Sequence, residues 1–280
     1  MSAEQPRPAG SPSGRGARPS VAVLGVGTMG EAVLAGVLRS GWSPDDVVAV
    51  VRRDERAAEL ADAHGVRSVP LAEGAARDVL VVAVKPQQLD DLLAQAAPHV
   101  RAGALVVSVA AGVTTARLAA ALPEGVAVVR AMPNTPALVG SGVTAVSAGP
   151  GAGEEQVALV AEMLSGAGDV VHLPESQQDA ATAVSGSGPA YVLHVLEALV
   201  EAGVHAGLPR ATAARLATGT LAGTAALLQE TGEHPSLLRE RVTSPGGTTA
   251  AGLRQLDERG VRAALLAAVE AARARAGELA

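Results

Sequence analysis

Two short stretches carry residue types at spacings that can do chemistry. The first is Val21–Gly30, VAVLGVGTMG, where Gly25, Gly27 and Gly30 form G-x-G-x-x-G behind a short apolar run. In a strand–turn–helix that takes a dinucleotide, the first glycine permits the tight turn and the second admits the pyrophosphate to the backbone. The third lets helix and strand pack closely. With Val26, Thr28 and Met29 between the glycines, the pyrophosphate would sit on free N–H groups and the positive dipole end of a helix starting near Thr28. The second stretch is Ser244–Thr249, SPGGTT. Consecutive backbone N–H groups at Gly247 and Thr248, a helix dipole, and hydroxyls on Ser244, Thr248 and Thr249 are the ingredients of a carboxylate site. The same residues also make an ordinary helix cap, and both readings stand at this point.

The elements that would position the fingerprint follow from apolar runs separated by turn residues. Val21–Leu24, Val47–Val51, Val66–Val69, Asp78–Val84, Leu105–Val109 and Val126–Ala131 read as strands, with helical segments between most of them. That alternation predicts a doubly wound parallel sheet, an α/β Rossmann-type domain. Ligands bind such sheets at the carboxyl ends of the strands. There the sequence places Gly25–Gly30, Arg52-Arg53, Ala83-Val84-Lys85-Pro86, Ala110-Ala111-Gly112 and the Met132–Pro136 loop with Asn134. Small residues at Ala110–Gly112 would let a flat nicotinamide ring lie against the backbone. Val143–Ser147 and Val170–Leu173 read as two added edge strands.

The end of the second strand bears on cofactor choice. An acidic residue there would hold the ribose 2′-hydroxyl of NAD. Arg52 and Arg53 stand there instead, and guanidinium groups match a 2′-phosphate in geometry and charge. NADP is the expectation, NADPH preferred. Asp54 keeps NADH open, and the two arginines could equally be surface residues paired with Asp54 and Glu55.

After about Leu173 strand signals stop and helical segments follow to the end. The expected organisation is a tail at 1–19, a dinucleotide-binding domain at 20–173, and an all-α dimerisation and substrate domain at 174–280. Long helices rich in Ala, Leu and Gly, such as Pro209–Gln229, are hard to bury within about 100 residues. That favours an intertwined homodimer over a compact monomeric bundle.

Composition narrows the function classes. The net charge is −6 and the 22 basic residues are spread out, so no nucleic-acid footprint stands out. Ala131–Gly153 lacks charge but is broken by prolines and glycines, so no membrane span is expected there or elsewhere. Cysteine is absent, which excludes disulfides and thiolate chemistry and fits a cytoplasmic protein. The six histidines show no HxH or HxxxH spacing, so no metal site is expected. Met1–Pro19, rich in Pro, Gly, Ser and Arg, lacks the apolar core of a secretory signal and reads as a disordered tail.

Taken together, the motifs resemble the pyrroline-5-carboxylate reductase family from about Ser20 to the C-terminus. The resemblance rests on VLGVGTMG, on AVKPQ at Ala83–Gln87 and on SVAAGV at Ser108–Val113. It rests more specifically on RAMPNTPALVG at Arg130–Gly140, VSGSGPAYV at Val184–Val192 and VTSPGGTTAAGL at Val242–Leu253. It implies reduction of 1-pyrroline-5-carboxylate to L-proline by hydride from NAD(P)H, the last step of proline biosynthesis. It implies that Thr249 hydrogen-bonds the substrate ring nitrogen. Ser244 with the amides of Gly247 and Thr248 would hold the substrate carboxylate, and Val242 would line the ring's apolar edge. It also implies a pocket at a dimer interface and, in many members, a ring of dimers. Thr28 stands where the family often has Asn.

Two other classes compete. A β-hydroxyacid dehydrogenase needs a lysine acid/base in the second domain, and Lys85, the sole lysine, lies in the first. Tyr191 and His194, i and i+3 on one helix face, read as packing residues. A non-catalytic dinucleotide sensor would be expected to lack the SPGGTT hydroxyls, which are present.

Overall fold

The computed structural model describes residues 18–278. The fold begins with β1 (Val21–Leu24), α1 (Thr28–Arg39), β2 (Val47–Val50), α2 (Asp54–His64) and α3 (Leu71–Ala75). It continues through β3 (Val79–Val82), α4 (Leu89–Ala96), β4 (Leu105–Ser108), α5 (Thr115–Ala120) and β5 (Ala127–Met132). Then come β6 (Gly142–Ala148), α6 (Glu154–Leu164) and β7 (Gly168–His172). The seven strands form one sheet in the order β2-β1-β3-β4-β5-β6-β7. Every neighbouring pair is parallel except β5 with β6. Strands β1, β3 and β4 are buried at every position, the property that a continuous apolar run confers when helices cover both sheet faces.

Val66–Val69 does not become a strand. It makes a single bridge, Ser68 with Ala49, flanked by Ala49 N to Arg67 O at 3.0 Å and Val69 N to Ala49 O at 2.9 Å. Pro70 follows with no N–H to continue the ladder, and α3, unmarked by the sequence pattern, begins at Leu71. The tail reading of 1–19 lies outside the described residues except at its end. There Arg18 lies over the Trp42 ring, 4.3 Å from its centroid, and Trp42 Nε1 donates to Pro19 O at 3.1 Å. Arg18 and Pro19 therefore belong to the fold.

The second half holds α7 (Gln178–Ala181), α8 (Gly188–His205), α9 (Arg210–Thr231), α10 (Pro235–Arg241), α11 (Thr248–Glu258) and α12 (Val261–Glu278). Ahead of α8 the chain forms a 3-10 turn at Glu175–Gln177, then α7, then a π-helical turn at Thr182–Gly186. The glycine-rich patch Ser185–Pro189 does not break the helix. Ser187 N reaches Thr182 O at 2.9 Å, and Pro189 sits in the first turn of α8, where a missing N–H costs nothing.

Across α8–α12 the only buried residue is Ala213. Leu193, Leu199, Leu216, Leu256 and Leu266 are exposed. Among the described residues Glu175–His205 is also long and apolar enough, by length and composition, to cross a membrane, where the sequence reading expected no such stretch. Only 6% of its most apolar window is buried within the chain, so its apolar surface is left for another body to cover.

Candidate active site

The carboxyl ends of β1, β2 and β3 open onto a cleft of about 1040 Å³. Its lining brings together Gly25, Val26, Gly27, Arg52, Arg53, Ala83, Val84 and Lys85, all expected from the sequence. The three fingerprint glycines have separate steric reasons. Gly25 has φ +86°, and a Cβ there would also meet Val84 Cγ1. At Gly30 a Cβ would strike the Gly25 carbonyl and crowd Ala83, so α1 could not lie so close to the turn. At Gly27 a Cβ would meet nothing within 4 Å. The protein's own packing does not require that glycine, which keeps its side of the cleft clear for what the cleft binds. Helix α1 starts at Gly27 with no side-chain cap, so its first N–H groups stay free for an anion. These features fit a dinucleotide.

Arg52 and Arg53 are exposed and, among the described residues, form no ion pair with Asp54, Glu55 or any other carboxylate. The surface-pairing alternative is not what forms. Arg56, not singled out in the sequence, also lines the cleft. It donates from Nε to Val26 O at 3.1 Å, pairs with Glu59 at 2.8 Å and pairs with Glu31. His64 Nε2 lies 3.0 Å from Glu31 Oε1. The hydrogen bond from Arg56, and then that from His64, hold the Glu31 carboxyl below its usual range. Gln88, Asp91 and Gln95 form the facing wall. They were equally missed, because no spacing signals them.

The other expected cofactor residues do not line this cleft. Thr28 and Met29 contribute through the start of α1, and the Met29 side chain packs on the Ala32, Ala137 and Ala167 cluster. Pro86 opens a 3-10 turn. Ala110 is buried, Ala111 is exposed and Gly112 has φ +71°, at the carboxyl end of β4. Asn134 is a structural clamp: its Nδ2 donates to Ser185 O at 3.2 Å and Oγ at 3.3 Å, and its Oδ1 accepts from Val143 N at 2.9 Å. Both amide donors are thereby spent inside the protein.

A second cluster, also missed, ties the two halves together. Arg130 of β5, with its side chain 4% exposed, lies 3.5 Å from Glu175 and 3.6 Å from Asp179. Glu175 accepts in turn from Thr115 N at 2.7 Å and Thr115 Oγ1 at 2.6 Å. A buried guanidinium needs such partners. The arrangement links α5, just beyond the Ala110–Gly112 turn, to the first helical turns of the second half.

The SPGGTT loop stands in the helical half, at the start of α11. Gly246 has φ +69°, Gly247 N donates to Ser244 O at 3.0 Å, and a Cβ on Gly247 would collide with the Ser244 hydroxyl. Gly247 is the N-cap of α11 and no side chain caps that end. Gly247 caps the helix through its backbone alone, and the first-turn N–H groups remain free. Val242 is 64% exposed. None of Val242, Ser244, Gly247, Thr248 or Thr249 lines the cofactor cleft of the same chain.

Comparison with known proteins accounts for this division. The family model "NADP oxidoreductase coenzyme F420-dependent" matches residues 20–112, and the model "Pyrroline-5-carboxylate reductase dimerisation" matches residues 175–279. Pyrroline-5-carboxylate reductase of Corynebacterium melassecola is 42% identical, aligned over 93% of this chain and 98% of its own length. That of Synechocystis is 44% identical, over 92% and 97%. The chain belongs to the pyrroline-5-carboxylate reductase family. A member from Coxiella burnetii superposes with TM-score 0.90 at 33% identity, over 94% of this chain and 99% of that one. A Plasmodium falciparum member with NADP bound superposes with TM-score 0.81 at 26% identity, over 93% and 98%. The family's cofactor is a nicotinamide dinucleotide, and its dimerisation domain coincides with the half that leaves its apolar surface bare.

Proposed function

We propose that this chain reduces 1-pyrroline-5-carboxylate to L-proline with NADPH, as a cytoplasmic homodimer that assembles further into a ring of dimers. The observation that carries the reading is family membership along the whole chain, with the glycine cleft in one half and the SPGGTT loop in the other. When bound, the nicotinamide would supply hydride to the carbon of the C=N bond, the ring nitrogen taking its proton from solvent water. The chain's own residues orient and polarise. The uncapped start of α11, with the amides of Gly247 and Thr248 and the Ser244 hydroxyl, holds the substrate carboxylate. Thr249 places its hydroxyl at the ring nitrogen, where it positions and polarises without having to be a strong acid. Val242 covers the apolar edge of the ring. A partner copy brings this loop over the cofactor cleft. The unpaired Arg52 and Arg53 favour the 2′-phosphate of NADPH.

Following NADPH and NADH absorbance with the purified protein and the imine tests the reaction and the cofactor together. Imine-dependent oxidation supports the reading, whereas binding without turnover would make the protein a dinucleotide sensor. Thr249→Ala should cut kcat by about 10²-fold, in the range of one lost transition-state hydrogen-bond donor, and leave NADPH affinity in place. Unchanged kcat removes Thr249 from the mechanism. Arg52→Glu with Arg53→Glu should weaken NADPH more than NADH by at least about tenfold, given the loss of charge-assisted bonds. An equal loss would end the 2′-phosphate role.

A further inference from the structure

The glycine turn is held by more than its glycines. Arg56 reaches from α2 into the turn with each arm of its guanidinium engaged: Nε on the Val26 carbonyl at 3.1 Å, one terminal nitrogen on Glu59 at 2.8 Å, the other on Glu31. Val26 lies between Gly25 and Gly27. The peptide group is planar and trans, so fixing the Val26 carbonyl also fixes the Gly27 N–H on the far side of that plane. Glu31 creates a second problem. A carboxylate in the first turn of α1 stabilises the helix by its dipole. The same charge repels a pyrophosphate arriving at that N-terminus. Both of its oxygens are taken up, Oε2 by Arg56 and Oε1 by His64 at 3.0 Å. Glu31 can therefore serve the helix without leaving a bare negative charge at the anion site.

We infer that Arg56 is a positioning residue for the dinucleotide, acting through the Val26 carbonyl and Glu31 on the pyrophosphate end that NADPH and NADH share. This rests on the dinucleotide reading of the cleft and deepens it. Arg56 lines the same cleft as Arg52 and Arg53, but each of its three nitrogens already bonds within the protein. The two roles separate accordingly. Arg52 and Arg53 discriminate between the dinucleotides, and Arg56 supports both alike. Lysine cannot replace it fully, because an ammonium lacks the planar fork that spans a carbonyl and a carboxylate at once.

Calorimetric titration of the full-length protein with NADPH and with NADH, in the absence of imine, tests this directly. Arg56→Gln should weaken both dinucleotides by the same factor, about tenfold or more, the scale of a lost charge-assisted hydrogen bond. Under turnover, KM for the dinucleotide should rise while kcat at saturation stays level. Glu31→Gln added to Arg56→Gln should recover part of the affinity, because no bare carboxylate is then left beside the pyrophosphate. Arg56→Lys should fall between wild type and Arg56→Gln. If Arg56→Gln does not fold, Arg56→Lys decides alone, by an equal loss for both dinucleotides. A loss confined to NADPH overturns the inference, since Arg56 would then be a 2′-phosphate contact. Unchanged affinity overturns it, as does a double variant no better than Arg56→Gln. Wild-type protein that binds neither dinucleotide overturns it with the cleft reading beneath it. Binding without imine turnover leaves the inference intact and refutes the proposed reaction alone.

Discussion

In the sheet half, β1, β3 and β4 are buried at every residue and the apolar clusters on both sheet faces are closed by the chain's own helices. In α8–α12 Ala213 alone is buried, although the leucine supply is ample. The difference is one of arrangement rather than composition. Parallel strands carry apolar residues on both faces and find helices within reach in the same chain. The long helices of the second half have no third layer to meet, so their burial depends on another copy. One half is complete as a single chain and the other is half of a shared core. The chemistry divides along the same line, with dinucleotide residues in the self-contained part and the SPGGTT loop in the part that needs a partner.

Placing a charge on the shared surface should have the largest effect on this contrast. Leu216→Glu, at a position 55% exposed in the single chain, should cost about 2–4 kcal/mol of association, the scale of an interface hot spot. Light scattering should report a smaller particle, and imine turnover should fall with it, while dinucleotide binding survives. A variant with unchanged mass and activity would mean that this face is not shared. A substitution on the other side of the contrast should do the reverse. Gly27→Ala has room within the protein, since its Cβ would meet nothing within 4 Å, so Tm and assembly should stay level. Affinity for both dinucleotides should fall by about 1.5–3 kcal/mol, the worth of a hydrogen bond to a charged group. A large drop in Tm would assign Gly27 to packing instead. The smallest effect concerns Glu31. Its folded-state carboxyl lies below the ordinary value because of the bonds from Arg56 and His64. Its contribution to stability is therefore fully present above the ordinary carboxylate range and is lost as pH falls through the lower, folded-state value. Denaturant titrations followed by circular dichroism from neutral pH down to about 3 should lose slope in Glu31→Gln. An identical slope would sink the linkage.

The sequence was most informative where a local pattern decides the structure. Apolar runs bounded by turn residues marked five of the parallel strands, and the three glycines marked the turn, because the cause lies within ten residues. Thr114, a cap-forming residue type just before a helical segment, caps α5, its side chain accepting from Arg117 N. Val66–Val69 has a strand's composition but only one bridge, because Pro70 ends the ladder. The misses are long-range. Arg56 meets Glu31 across 25 positions, and Glu175 meets Thr115 across 60. No period or spacing encodes a contact that only the tertiary fold creates. The bond from Asn134 to Ser185, in the other half of the chain, is equally long-range. The proposed union of cleft and SPGGTT loop lies beyond spacing for a different reason: the loop does not line the cleft of its own chain.

The scarcity of aromatic residues gives the two halves separate optical signatures. The single tryptophan, Trp42, is buried in the sheet half, bonded to Pro19 and stacked under Arg18. The single tyrosine, Tyr191, lies on α8, and there is no phenylalanine. Indole emission excited at the red edge, where phenol does not absorb, therefore reports the environment of the dinucleotide half alone. A denaturation followed by that emission and by helical circular dichroism, to which the second half contributes most, resolves the order in which the halves come apart, with no label and no added chromophore.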